Sequence, residues 1–151
     1  MKTILAKSLI FSFFIALIAS GSCRAQEIAH WNTDYAKALA QAKTESRPLL
    51  LDFTGSDWCG WCMKFEKEVL KTKEFKDYAA KNLVLVVVDF PQAKFQSKKL
   101  KDQNAQLQTQ FKVKGYPHFV LISKDGTELG QAGYLEGGPS AFIAKLEGFK
   151  K

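Results

Sequence analysis

Cysteine is scarce in this chain, with three in 151 residues: Cys23, Cys59 and Cys62. A small secreted scaffold held together by bridges carries several cysteine pairs, so that architecture is excluded. No internal repeat, low-complexity tract or Pro- or Ser-rich linker interrupts the sequence, and one domain is the simplest account. There is no Gly-rich phosphate loop, and nothing indicates a bound organic cofactor. A clustered basic face is also missing. The net charge is +7, but Lys2, Lys7 and Arg24 sit in the first 25 residues with no acid among them; taking these three from the 22 basic residues leaves 19 against 15 acidic ones, or +4. That mild excess does not describe a nucleic-acid binder. Lys98-Lys99 and Lys150-Lys151 lie among mixed charges and read as solvated surface. What the chain does have is a hydrophobic share of 46%, enough for a packed core.

The apolar stretch over residues 8–18 falls short of the ~20 residues that span a bilayer. Lys2 and Lys7 precede it, and Ala19, Ser20, Gly21 and Ser22 follow. This is the layout of a secretory signal peptide over residues 1–25, leaving 26–151 as the domain. Cutting after Ala25 removes Cys23 and leaves Gln26 first. The alternative is lipid attachment at Cys23, since Ser20-Gly21-Ser22-Cys23 resembles a bacterial lipobox apart from Ser20, where Leu is usual. Membrane contact is expected only in that second case.

Export changes the meaning of the remaining cysteines, because thiols oxidise outside the cytosol. A bridge between Cys59 and Cys62 closes a very short loop and so stabilises little by chain entropy. A structural role is weak and a redox role is favoured.

Along the domain, Asn32 or Thr33 is placed to cap a first helix through Tyr35, Ala36, Leu39, Ala40 and Ala42. A short strand over residues 28–31 is an optional lead. The apolar run 49–53, between Pro48 and Gly55, suits a buried strand. Met63, Phe65, Glu66, Val69 and Leu70 continue helically after the cysteines, and Thr72 caps a further turn with Phe75 and Tyr78. Residues 83–88 include four valines and read as a central strand. A helix over 98–111 and a strand His118–Ile122 follow. Asp125-Gly126 turns the chain back into an antiparallel strand within 127–134. Gly137, Gly138 and Pro139 open a last helix carrying Phe142, Ile143, Leu146 and Phe149. Early alternation implies parallel pairing through crossover helices, and the late hairpin adds antiparallel strands, giving an α/β domain.

The segment Trp58-Cys59-Gly60-Trp61-Cys62 carries the chemistry. The thiolate is the reactive form of cysteine. Unpaired N–H groups at a helix N-terminus stabilise an anion, so Cys59 there has a lowered pKa. Cys62, one turn on, faces the same side within bridging reach. Cys59 then attacks a substrate disulfide and Cys62 resolves the mixed disulfide.

Asp57-Trp58-Cys59-Gly60-Trp61-Cys62-Met63-Lys64 after a strand resembles the thioredoxin superfamily, and Gly115-Tyr116-Pro117 before the strand His118–Ile122 looks like that family's cis-proline loop. The likeness runs over roughly residues 28–149. The stretch from Asp52 to Cys59 looks most like exported thioredoxin-like proteins related to the C-terminal domain of the transmembrane disulfide reductase. The resemblance implies a thioredoxin fold: a central mixed β-sheet flanked by helices, with a C-terminal hairpin and helix. It implies a cis Pro117 that keeps metals out and presents the Tyr116 backbone to an extended substrate; the plainer reading is a trans turn proline. Trp58 matches the family tryptophan beside the site. Gly60 and Trp61 occupy the positions that tune redox poise, and Trp61 cannot stabilise a thiolate as a cationic His does, which favours a reductase. Asp52 is the candidate for the family's buried acid, with a pKa raised by desolvation. This chain has one more residue between Asp52 and Cys59 than ordinary thioredoxins, so Asp57 competes for the role, and Asp52 also reads as a mere strand-end residue. His118 either faces the site or, the favoured reading, faces elsewhere on its strand.

The expected activity is thiol–disulfide exchange with protein thiols and disulfides by an exported monomer, fed by a membrane-bound electron donor or acceptor, with no metal and no cofactor beyond the Cys59–Cys62 pair. A metal-binding module using Cys59, Cys62, His30 and His118 is an alternative from another class, although zinc sites with two Cys usually find a second close pair. A redox-inert binding domain is a third. Intact-mass measurement of the exported protein is expected to find Gln26 as first residue if the signal is cut after Ala25, and a lipid-modified Cys23 otherwise.

Overall fold

The computed structural model describes residues 30–151. The expected signal peptide, with Cys23, and the start of the expected leading strand lie outside the described residues. Five strands form one sheet: β1 (Trp31–Asn32), β2 (Leu49–Thr54), β3 (Val84–Asp89), β4 (His118–Ile122) and β5 (Glu128–Ala132), in the order β1-β3-β2-β4-β5. β1 and β2 run parallel to β3, whereas β4 is antiparallel to both β2 and β5. The helices are α1 (Tyr35–Glu45), α2 (Gly60–Phe65), α3 (Lys73–Asn82), α4 (Lys98–Gln110) and α5 (Gly138–Phe149). α2 runs on into a π-helical turn, Glu66–Leu70.

Side chains alternate across a strand, and this alternation divides the core in two. Leu49, Leu51 and Phe53 of β2 join Val84, Val86, Val88, Val120 and Ile122 beneath α1 and α4. Leu50, with Leu85, Phe119 and Leu121, faces Phe65, Phe75, Phe142 and Leu146 of α2, α3 and α5. Asp52 shares Leu50's parity and so points to the α2 side.

Helix starts follow local chemistry. Thr72 accepts from the Phe75 N–H at 3.2 Å, as its spacing predicts, and Ser97 caps α4 through the Leu100 N–H at 3.3 Å. At α1 the expectation needs correcting: neither Asn32 nor Thr33 is the cap. Asp34 accepts from the Lys37 N–H at 3.1 Å, while Asn32 lies in β1 and donates to the Leu85 carbonyl. A carboxylamide one strand away from a carbonyl is satisfied across the sheet, which sequence order does not reveal. Residues 83–88 do form an interior strand, shifted by one, but the middle of the sheet is β2. The β4–β5 hairpin and closing helix stand as expected, with Gly137 at φ 103° entering α5 in a conformation that suits glycine.

Phe142 ties the helical layer to the sheet. Its ring centroid lies 5.0 Å from Phe65, 5.8 Å from Phe75 and 4.8 Å from Phe119, and the side chain is fully buried. Phe142→Ala is expected to lower the unfolding free energy by about 3–5 kcal/mol, read from the urea midpoint.

Candidate active site

β2 ends at Thr54, and residues 55–58 turn the chain into α2. The N–H groups of Trp58 and Cys59 both donate to the Gly55 carbonyl, at 3.2 and 2.9 Å, so the turn is already helix-like before α2 begins. Gly55 is required here: a Cβ on it would stand 2.4 Å from Cε2 of Trp58. The indole occupies the space where a Gly55 side chain would stand and donates from Nε1 to the Phe90 carbonyl at 2.7 Å.

Cys59 is the N-cap of α2. Its sulfur accepts from the Cys62 N–H at 3.2 Å, and the two cysteines form a disulfide. Three properties meet at Cys59: an N-terminal helix position, a backbone donor aimed at sulfur, and a resolving partner already bonded to it. The first two stabilise the thiolate once the bridge opens. Both cysteines are largely buried, and the rim around them is apolar, with Trp58 41%, Met63 45% and Trp61 58% exposed. Trp61 leans on Tyr134 with centroids 5.0 Å apart, and the Lys64 ammonium lies 5.1 Å from the Trp61 ring centre and 5.4 Å from that of Tyr134. A Cβ at Gly60 would meet nothing within 4 Å, so that position is sterically open.

The Tyr116–Pro117 peptide bond is cis, and Pro117 is buried. Tyr116 packs edge-on against Trp58 at 5.8 Å and lies at a shallow tilt against Phe90 at 5.3 Å, and its hydroxyl accepts from Gln108. The fold thus brings Tyr116 into contact with Trp58, the residue before Cys59, from 58 residues away in sequence.

Asp52 and Cys62 line the same cavity of about 380 Å³, with Glu66, Thr54, Ser56 and the side chains of Trp31, Leu85 and Val87. Asp52 is 7% exposed, and its Oδ1 has no hydrogen-bond partner. Burial, then the negative charges of Glu66 and Asp89, push its pKa up to about 8. The extra residue before Cys59 therefore does not remove Asp52 from the α2 side. Asp57 does not compete: it lies at the surface, where its carboxylate accepts the N–H groups of Gln92, Ala93 and Lys94 at 2.8–3.1 Å, and these bonds hold its pKa below the usual range.

His118 is directed elsewhere. Its Nε2 is 2.8 Å from Gln131 Oε1 on β5, and its ring packs edge-on against Phe53, on the face opposite Asp52. Among the described residues, no three His, Cys, Asp or Glu side chains group in a way that could hold a metal ion.

Four site residues escaped the sequence reading as functional. Glu66 follows Cys62 by one helical turn, a spacing that signals a shared face. Gly55 had shown only as a strand boundary. Phe90 and Tyr134 carry no local signal, because each reaches the site through tertiary packing.

A family model described as a thioredoxin-like domain matches residues 35–150. A disulfide bond reductase, DsbH of Chlamydia pneumoniae, is 41% identical over 113 residues, which is 75% of this chain and 68% of that protein. The thioredoxin-related protein DsbJ of the same organism is 32% identical over 126 residues, 83% of this chain but 36% of that longer protein. A solved structure of a DsbH oxidoreductase superposes with a TM-score of 0.77 at 34% identity, covering 96% of this chain and 94% of the other.

The buried acid has a measurable signature. Below the ordinary carboxylate range both folded and unfolded chains hold the Asp52 proton. Between there and about pH 8 the folded chain holds it and the unfolded one does not, so stability declines as pH rises, by about 1.4 kcal/mol per unit at most. Asp52→Asn is expected to flatten this decline and stabilise the oxidised protein by about 2–4 kcal/mol at neutral pH, measured by urea unfolding across the range.

Proposed function

The chain belongs to the thioredoxin-like family and is a thiol–disulfide oxidoreductase, and from that premise we propose that it reduces disulfides of exported proteins through Cys59 and Cys62. The observation that carries this reading is Cys59 at the start of α2, bridged to Cys62 and facing a rim of exposed aromatic side chains.

In the reduced protein the Cys59 thiolate attacks one sulfur of the substrate disulfide. That S–S bond breaks, the other substrate sulfur leaves as a thiolate, and Cys59 is joined to substrate. Cys62, as thiolate, then attacks the Cys59 sulfur, the second substrate sulfur leaves, and the Cys59–Cys62 bridge forms. Two electrons pass from the cysteine pair to the substrate. Cys62 must lose a proton in the second step, and Asp52, which lines the same cavity, takes it. An acid with a pKa of about 8 is close to that of an ordinary thiol, near 8.5, so the transfer is nearly balanced in energy. Trp58, Tyr116 and Pro117 form the wall along which the substrate main chain lies, and Gly60 and Trp61 set the poise of the pair.

Each turnover leaves the pair oxidised, so a donor must return two electrons. The signal-like residues 1–25 support an exported location for the domain 26–151, in the periplasm or outside the cell. Cytosolic reductants do not reach that compartment, so the donor is a membrane protein, met by a monomer that is free or anchored through Cys23. The name of the reductase relative supports the same direction.

The test is the reduction potential of the pair, from equilibration with a thiol buffer. A value near about −270 mV supports a reductase; one between about −180 and −120 mV assigns the protein to isomerase or oxidase work instead. Cys59→Ser is expected to abolish exchange, and Cys62→Ser to accumulate the mixed disulfide with substrate, seen as a dithiothreitol-sensitive adduct on a non-reducing gel.

A further inference from the structure

The segment between β3 and α4, residues 90–97, is an exposed loop of the kind that is ordinarily mobile. Here it is bonded along its length to the turn that carries the cysteines. The Phe90 N–H donates to Thr54, and the Phe90 carbonyl accepts from Trp58. Asp57 takes the three successive N–H groups of Gln92, Ala93 and Lys94, and the Lys94 ammonium donates to Ser56 at 3.0 Å. Gln96 donates back to the Asp89 carbonyl. Ser56, Asp57 and Trp58 are the residues immediately before Cys59, so the loop is held in register with the reactive sulfur.

What this loop displays is Phe95, 95% exposed, against 58% for Trp61, the next barest large apolar side chain among the described residues. An isolated apolar residue at a surface is ordinary. A fully bare phenylalanine on backbone that is already ordered is different, because a partner covering it gains apolar burial without ordering the loop. Lys94, Lys98, Lys99 and Lys101 lie within six residues of it in sequence, all exposed. Lys98 is paired with Asp102, but Lys99 and Lys101 meet no acid among the described residues. Cys59 is the second residue after Asp57 and Phe95 directly follows Lys94, whose N–H Asp57 accepts, which puts the Phe95 backbone within about 20 Å of the Cys59 backbone. A gap of up to that length is spanned by a few residues of a protein chain.

We propose that the loop is a docking arm for the disulfide-bearing protein partner: Phe95 enters an apolar notch on an acidic surface of that partner while the partner's disulfide meets Cys59. This rests on the redox reading above and adds to it a partner of stated chemistry. The arm acts on binding and takes no part in the electron transfer. Its charge steers encounter, and its ring slows departure.

The exported protein, reduced with dithiothreitol, is assayed on a small aromatic disulfide and on three peptides. Each peptide has one internal disulfide and a tail long enough to span the gap, made of Glu and Leu, Glu and Ser, or Lys and Leu. The Glu/Leu peptide is expected to have the highest kcat/KM. Phe95→Ser is expected to lower the ratio of kcat/KM for that peptide to kcat/KM for the small disulfide by about 10- to 100-fold, through KM, with Phe95→Leu restoring most of it. The double change Lys99→Glu with Lys101→Glu should shift preference towards the Lys/Leu tail. Equal ratios for wild type and Phe95→Ser, or no preference among the tails, overturn the docking arm while leaving the redox reading intact. Failure of the wild type to reduce even the small disulfide removes both.

Discussion

Every residue of β2 is buried, so its backbone must be paired along both edges and its side chains covered on both faces. β3 and β4 satisfy the edges, one parallel and one antiparallel. The helices α1 and α4 cover one face, and α2, α3 and α5 the other. With both flanks and faces closed, the chain can leave β2 only at its C-terminal end. There the first exposed backbone becomes a turn, then a helix N-terminus, and that terminus carries Cys59. Reactivity is concentrated at the point where the most buried strand meets solvent.

The same burial sets the chemistry of Asp52. A carboxylic acid two residues from the end of such a strand is largely stripped of water and stays largely protonated near neutrality. A purely structural optimum would have an apolar residue there, matching Leu50. The acid persists at a cost in stability, with an oxygen that no protein group satisfies, in the cavity it shares with Cys62. Stability given up at one site, in a cavity that a candidate reactive residue also lines, is the common pattern when a local rule of folding is broken.

Much of the fold was legible because its signals are local. Four valines in a six-residue run, Thr72 three residues before Phe75, and Asp125-Gly126 between two strands each act through neighbours in sequence. The sequence misled, or left alternatives open, where a residue's partner is far along the chain. Asn32 looks like a cap until Leu85 is beside it, 53 residues later. Asp57 looks like a rival acid until the amides of residues 92–94 surround its carboxylate. In both cases a short polar side chain has a local use and a tertiary use, and the tertiary one was chosen.

The amino-acid sequence by itself determined the cysteine pair, the order of strands and helices, and the candidacy of Trp58, Trp61 and Tyr116. Spacing of two residues between cysteines and the periods of strand and helix are properties of the chain alone. Only the tertiary structure decided which of two aspartates is buried with Cys62, that His118 turns to Gln131, and that the loop bearing Phe95 is fastened to the turn before Cys59. Desolvation and hydrogen bonding between distant segments have no signature in sequence order, since both depend on what the completed fold excludes from water.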